Sequence, residues 1–577
     1  MMKRFKKLLL GLLAAISALS LAACNIEITL GGSSGDSPSD SPSDSPSTSS
    51  SDPSTSSPDS DSSSDESDVF TSSSSICDCV VGGGSSSEDT TPDDESSSST
   101  DTTSNDTESG ESSTPDGDST PETCEHVYDD FMDVSCNECG DEREKITVKF
   151  YHCYGMAVQD ILDEAIEDFN KLYPNVEIIH DNMGGYDDLQ RTIEMQIQAG
   201  KAPSIAVAYP QHIAAYNQHK ALTLLDEYEQ SLETVFTASG ETETLGLSQE
   251  QRNALGPYYN AGRIFDDAKT LYSLPMSLTT DVLYYNKTFF DKHDLTVPTT
   301  WTEMEEVCQA IKNITSENGQ SRSVPLSVDS EFNWFANTCE QIGSTMISLN
   351  SQNPFTFNNA ENRTFAQQYR SWYQNGYVIT SSIYGSYTSD LFVSGECYMS
   401  IGNQSSSAWY CPNLNADNSY PFEVGVAPIP QADPENPKSL ARLLSLCLFK
   451  QADERIEKAA WLFAKHLATD VVFQARLSLQ QGSSPVNTLV YENHAYQAKL
   501  AQADGNKYLL ESAILASMEQ GGFLLSPSIY TNQLSSTISD LLTDCLSVKL
   551  NAGQTDAQLI EALFNQAETK LKEQCGL

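Results

Sequence analysis

From Lys145 to its end the chain reads as an α/β protein with a parallel sheet, and two observations predict this. Strand-like and helix-like patterns alternate from the first residues of the region, and each passage between them carries a stop or turn signal. "KITVKFYHCYG" alternates, turns apolar and ends in a glycine loop, which is a strand pattern. The next segment spaces Val158, Ile161, Leu162, Ala165, Ile166, Phe169 and Leu172 as on one helix face, and Pro174 stops it. "NVEIIH" then reads as a second strand, "YDDLQRTIEMQIQAG" as a second helix ending at Gly200, and "APSIAVAYP" as a third strand. Strands joined through helices run parallel, and such sheets bind ligands beyond the carboxyl ends of their strands.

The 577-residue chain carries a formal charge of -49, and the charge is uneven. Residues 31 to 122 contain no Lys, Arg or His and consist largely of Ser, Asp, Thr, Pro, Glu and Gly. Such a segment buries too little apolar surface to offset chain entropy, so residues 24–122 are expected to form a disordered acidic tether. At about 100 flexible residues its ends lie roughly 50 to 60 Å apart. An acidic chain without clustered Lys and Arg excludes nucleic acid as a partner. Residues 1–23 carry Lys3, Arg4, Lys6 and Lys7, then an apolar run from Leu8 to Ala23, in the order of a secretory signal. The run is shorter than the about 20 residues of a membrane span. Leu21-Ala22-Ala23-Cys24 resembles the bacterial lipobox, which implies that Cys24 is acylated and becomes the new amino terminus. Two acyl chains, at about 0.8 kcal/mol per buried methylene, hold a protein on a membrane where one does not.

Between tether and folded region, residues 123–143 hold Cys124, His126, Cys136 and Cys139 in "CEHVYDDFMDVSCNECG". Four soft or borderline donors with a turn at Gly140 suit a closed tetrahedral zinc site; disulfide pairing is the competing reading for an exported segment. Cys77 and Cys79 receive no role, and most of the remaining cysteines are expected to be small buried hydrophobes.

The segments "FYHCYG", "DFNKLYPNVEI", "QAGKAPSIAV", "LYSLPMSLTTDVLYYNKTFFDKHDLTVPTTWTEM", "FVSGECYMSIGN", "VGVAPIPQ" and "QGSSPVNTLVYE" resemble, in the same order, those of extracellular solute-binding proteins of ABC importers. The resemblance is strongest to the carbohydrate and glycerol-3-phosphate branch. It implies a two-lobed α/β fold of the periplasmic-binding-protein kind over residues 144–577, with hinge crossovers near "TTDVLYYN", "FEVGVAPIP" and "GSSPVN". Lobe 1 is then expected over 144–282 and 424–482, and lobe 2 over 283–423 and 483–577. The implied function is capture of a sugar or oligosaccharide in the cleft and delivery to an ABC permease at the outer face of the cell membrane, without chemistry or cofactor.

The same resemblance places particular loops at the cleft. Tyr151 and His152 follow the first strand, as ligand contacts or as core residues at a strand end. Tyr186 and Asp187 start a helix, where a ring stacks on a sugar face and a carboxylate accepts from hydroxyls. Thr279 and Thr280 precede the first crossing, and Trp334 is expected to stack on the ligand; Trp301 instead packs against a helix capped by Thr300 or Thr302. Asn403, Gln404, Ser405 and Ser406 offer donors after a buried strand, and Gly482, Ser483 and Ser484 form a late loop. The late C-terminal stretch "LLSPSIYTNQLSSTISDLL" lacks the basic residue that neutralises phosphate in glycerol-3-phosphate members, which favours a neutral saccharide unless Arg442 points into the cleft. A surface glycoside hydrolase needs two carboxylates about 5 to 10 Å apart, and the named loops hold few acids. A scaffolding module with a vestigial cleft is the remaining alternative.

Overall fold

A computed structural model describes residues 124, 126–128, 131, 133–319, 322–348 and 353–577. The signal, the lipobox at Cys24 and nearly all of the tether, Cys77 and Cys79 included, lie outside the described residues. All described residues belong to one unit, Ser73–Leu577.

Three parallel strands come first: β1 (Ile146–His152), β2 (Val176–Asn182) and β3 (Ile205–Ala208). Then follow β4 (Leu274–Thr279), β5 (Asp281–Asn286), β6 (Val324–Val328), β7 (Val378–Thr380), β8 (Cys397–Asn403) and β9 (Val424–Pro428). The last two are β10 (Arg442–Leu448) and β11 (Ser484–Pro485). Two sheets result, ordered β11-β4-β10-β3-β1-β2 and β9-β5-β8-β6-β7, each the floor of one lobe. In the first, β1 runs parallel to β2 and β3, with Ile146 opposite Val176 and Phe150 opposite Ile205, while β10 is antiparallel to both β3 and β4. In the second, β8 is parallel to β6 and antiparallel to β5.

The helix Met156–Leu172 buries Val158, Ile161, Leu162, Ala165, Ile166 and Phe169 on the first sheet, the stripe its spacing demands. On the same core lies the helix Glu454–Thr469, whose Phe463 meets Phe150 at 5.9 Å and Phe169 at 5.1 Å between ring centroids. The lobe 2 core is built around four aromatics. Trp334 lies 3.6 Å from Tyr369, ring centre to ring centre, and 6.3 Å from Trp372, with Trp301 at 6.5 Å from Trp372. Thr300 caps the helix Trp301–Glu317 with a reciprocal bond to Glu303, and the Trp301 indole N–H donates to Gln341 Oε1 at 2.7 Å.

The chain passes between lobes three times. The first passage is the single residue Thr280 between β4 and β5. The second differs from the sequence expectation: β9, expected in lobe 1, pairs with β5 in the lobe 2 sheet, and Lys438–Leu440 still pairs with Gly521–Phe523. Lobe 1 resumes only at Arg442, because the apolar run "LLSLCLF" fills the gap between β3 and β4. The third is also later than expected, since Ser484 and Pro485 still pair with β4 in lobe 1. Lobe 2 is completed by the packed helices Thr531–Ser547 and Asp556–Gln574.

Truncating Trp334, which is 1% exposed and packed on both aromatic neighbours, to alanine is expected to cost about 3–5 kcal/mol of stability. Urea unfolding of W334A checks this; a loss below about 1 kcal/mol would contradict the core placement.

Candidate functional site

The carboxyl ends of β1, β2 and β3 mark one wall of the site, and the starts of three helices stand there. Tyr154 follows β1, Tyr186 opens the helix Tyr186–Gln198 after β2, and Tyr209 caps the helix Pro210–Gln218 after β3. Tyr186 and Tyr209 are half-buried, with ring centroids 4.7 Å apart. Burial pushes the Tyr186 and Tyr209 phenols up, so both stay neutral donors. The Tyr154 hydroxyl is buried and has no hydrogen-bond partner among the described residues.

The opposite wall comes from lobe 2. Asp281 opens β5 and is 4% exposed; its two carboxylate oxygens accept from Asn333 Nδ2 and Asn337 Nδ2, each at 3.2 Å. Burial raises its pKa to about 6, opposed by Arg442 and the two amides. Asp329 follows β6, and its Oδ1 accepts both the backbone N–H and the hydroxyl of Thr388 at 3.2 Å. Its Oδ2 has no hydrogen-bond partner among the described residues, and burial raises this carboxyl too.

Arg442 joins the walls. It opens β10 at the second passage between lobes, is half-buried, and lies within electrostatic reach of Tyr209, Asp281 and Asp329. No carboxylate lies within 4 Å of its guanidinium among the described residues, so its fork of donors is available. Three aromatic hydroxyls stand on the lobe 1 side, and a carboxylate oxygen and a guanidinium without partners among the described residues stand on the lobe 2 side and at the boundary, a chemistry suited to hydroxyl-bearing ligands.

The residues named from sequence divide into three groups. Tyr186 is at the site, and Asp187 is exposed beside it. Tyr151, His152 and Trp334 are packed inside their lobes. Tyr151 is 8% exposed, and its hydroxyl accepts from Gln196 Nε2 at 3.2 Å. His152 is fully buried: its Nδ1 accepts the Tyr154 N–H at 3.1 Å, so Nε2 carries the proton and donates to His180 Nδ1 at 2.8 Å. His180 in turn donates to Asp163. Burial and His180 lower the His152 pKa to about 3, so it stays a neutral structural link. The Trp334 indole stacks on Tyr369 and is 1% exposed inside the lobe 2 core, where no sugar ring can stack.

The third group forms the hinge. Thr280 is 1% exposed; its N–H donates to Gln404 Oε1 at 3.0 Å and its hydroxyl meets Ser517 at 2.8 Å. Gln404 Nε2 donates to the Gly482 carbonyl at 2.8 Å and to Ser484 Oγ at 3.3 Å. Asn403 donates to Thr279 Oγ1 and accepts from the N–H and hydroxyl of Ser405. Ser483 is 1% exposed, its hydroxyl unpaired among the described residues, while Ser406 is half-buried. Gly482 has φ +65° and a Cβ there would stand 3.2 Å from Ser405 Cα, so both conformation and space require glycine.

Tyr154, Tyr209, Asp281 and Asp329 were not singled out from sequence, yet each sits at a strand end. The strand-helix order gives that signal for Tyr209, which directly follows "SIAVA" and precedes Pro210. A cavity of about 390 Å³ lies elsewhere in lobe 1, between Glu243, Gln251, Lys465 and Asn487. Cys124, His126, Cys136 and Cys139 form a separate cluster, with the four donor atoms within 4.8 Å of one another.

A structure similar in fold is the cyclic alpha-maltosyl-1,6-maltose binding protein from Arthrobacter globiformis, with TM-score 0.58 and 16% identity over 74% of this chain and 100% of that one. UgpB from Mycobacterium tuberculosis in complex with glycerophosphocholine has TM-score 0.53 and 15% identity over 75% of this chain and 100% of its own. The multiple sugar-binding protein of Streptococcus mutans is 21% identical over 216 residues, which span 37% of this chain and 44% of that relative, so the match covers under half of the relative's length. The family of bacterial extracellular solute-binding proteins matches residues 164–503. With more than half of its length so matched, the chain belongs to the bacterial extracellular solute-binding protein family.

Proposed function

We propose that this protein captures a neutral sugar or oligosaccharide between its lobes and hands it to an ABC permease, without chemical change. Cys24 is the lipid attachment that keeps it on the outer face of the cell membrane. The observation that carries the reading is Arg442 at the boundary between the lobes, without an ion-pair partner among the described residues, its charge acting on Tyr209 of one lobe and on Asp281 and Asp329 of the other. A hydroxyl-rich ligand that takes donors from Arg442 and gives protons to Asp329 Oδ2 engages both lobes at once. Differential contact of that kind stabilises the closed state, which is the signal a transporter reads. The pair Tyr186 and Tyr209 supplies an aromatic surface for an apolar sugar face.

The local charge favours this ligand class over a phosphate ester. One guanidinium faces two carboxyl groups, so a dianion entering the site meets at most a balanced field. The glycerophosphocholine of the Mycobacterium tuberculosis protein is the second reading, since its cationic head suits carboxylates and aromatic rings. A thermal-shift screen of the full chain over maltooligosaccharides, glycerol-3-phosphate and glycerophosphocholine separates the readings. A saccharide at a hundred times its Kd stabilises by about 2.7 kcal/mol. Response to glycerophosphocholine alone overturns the saccharide assignment, and release of reducing sugar from the ligand overturns capture without chemistry.

Arg442→Met is expected to weaken the best saccharide at least about tenfold by titration calorimetry, the loss of a charged hydrogen-bond donor being about 1.5–3 kcal/mol. Tyr209→Ala is expected to act in the same direction; unchanged affinity in both variants rejects the site.

Asp281 has a folded pKa of about 6, raised above the 3.8 of the free side chain, so the folded state takes up its proton between those values. Its contribution favours the fold below about pH 4 and is lost as pH rises through about 6. Asp281→Asn removes this dependence, and with the Asn333 amide turned to present its oxygen to the new NH2 both contacts are kept. Urea unfolding from pH 4 to 7 is expected to show a flatter profile and a gain of about 1–3 kcal/mol at pH 7 relative to the parent.

A further inference from the structure

A cluster of metal-ligating side chains lies at the amino-terminal edge of lobe 1. Cys124 Sγ and Cys136 Sγ stand 3.6 Å apart, Cys139 Sγ and His126 Nδ1 3.3 Å, and all four donor atoms lie within 4.8 Å of one another. A tetrahedral ion with metal–sulfur bonds near 2.3 Å and a metal–nitrogen bond near 2.0–2.1 Å has edges of about 3.6–3.8 Å. The Cys124–Cys136 separation matches such an edge, and the remaining donors are close enough for one ion to draw them into it. The Cys124–Cys136 separation is also far longer than a disulfide of about 2.05 Å. A disulfide would use two of the three thiols and leave one cysteine and the histidine without a role.

The surrounding backbone is shaped for thiolates. The N–H groups of Val127 and Glu138 point to Cys136 Sγ at 3.3 and 3.4 Å, which favours negative sulfur. Gly140, with φ +75°, turns the chain after Cys139 so that its own N–H returns to the Cys136 carbonyl at 2.8 Å. Three thiolates and an imidazole with no open position suit structural zinc.

The small module is fastened to lobe 1 by residues outside the cluster. Phe131 packs on the lobe 1 core, and its carbonyl accepts from Asn175 Nδ2 at 3.1 Å and from the Arg143 guanidinium at 3.0 Å. Arg143 also lies 4.0 Å from the centre of the Tyr128 ring. Asn175 precedes β2, and its carbonyl accepts the first N–H of β1, so the module sits at the amino ends of strands whose carboxyl ends form the ligand site. A seven-residue strand separates the two ends by about 20 Å.

We infer that Cys124, His126, Cys136 and Cys139 bind one structural zinc ion, which clasps the root of the chain upstream to the end of lobe 1 remote from the ligand site. The ion holds Phe131 and Tyr128 in place, so the module keeps a fixed seat on lobe 1. Zinc performs no chemistry on the ligand.

The full chain, purified without chelator, is measured by elemental mass spectrometry, with a non-reduced peptide map alongside. One zinc per chain is expected, with Cys136→Ser and His126→Ala each lowering the content more than tenfold and Cys77→Ser leaving it unchanged. Cobalt replacing zinc is expected to give the thiolate charge-transfer band. Absence of zinc from the parent chain, or a covalent bond from Cys124 to Cys136 or Cys139, overturns the assignment. Chelation is expected to expose residues 124–143 to protease while leaving saccharide affinity unchanged. A protease-resistant segment after full zinc removal overturns the clasp.

Discussion

The buried carboxamide of Gln404 is the constraint on which the two-lobed arrangement depends. It has no exposed surface, and it satisfies groups from the first and third passages: Oε1 takes the Thr280 N–H, and Nε2 gives to the Gly482 carbonyl and Ser484 Oγ. Thr280 and Ser484 then share Ser517, and Gln520 Nε2 reaches the Thr280 hydroxyl at 3.1 Å. A buried polar group without a partner costs about 1–3 kcal/mol, so this network has one low-energy arrangement and resists partial replacement. The amides fix where the lobes join while leaving the strand ends beyond them unspent.

That division of polar groups sets the chemistry of the cleft. Side chains on the passages between lobes are consumed by the hinge, and those one position beyond a strand end retain free atoms. Asn403, which directly precedes Gln404, is occupied by Thr279 and Ser405. Asp329, directly after β6, keeps Oδ2. Arg442 sits at the boundary itself: its backbone pairs with Thr279 in the lobe 1 sheet, and its side chain faces carboxyl groups of lobe 2. A residue so placed senses the distance between lobes, since its field at Asp281 and Asp329 changes as they approach.

The architecture was legible because it is written in periodicity. The stripe from Val158 to Phe169 and the apolar strand "SIAVA" leave little freedom in lobe 1, and the hinge at Thr280 follows from two strands meeting at a threonine pair. Side-chain direction was not legible to the same degree. Tyr151 and His152 stand at a strand end, yet both point into layers of lobe 1, because strand alternation continues to the last paired residue opposite Asn182. The cleft begins at the next turn, with Tyr154. Trp334 looks like a ligand platform in a sequence, since a large aromatic after a strand and a turn serves either role. Its partners Tyr369 and Trp372 come from a helix some 35 residues later, and only tertiary packing decides between them. The boundary of lobe 1 near Arg442 was missed for a related reason: β9 and β10 are both apolar strands, and nothing local states which sheet each completes.

A parallel sheet gives its two ends different chemistry, and this protein uses both. At the carboxyl ends of β1 to β3 the chain turns into helices, so helix starts and the residues before them collect on one side of the sheet. At the amino ends of β2 and β3 the chain arrives from helix carboxyl ends, whose carbonyls carry the negative end of the helix dipole. Asn175 shows the difference. Its carbonyl starts β1 and its amide grips Phe131, so this end serves attachment. Placing attachment and capture on opposite ends of the same strands makes the sheet a rigid spacer of about 20 Å between them.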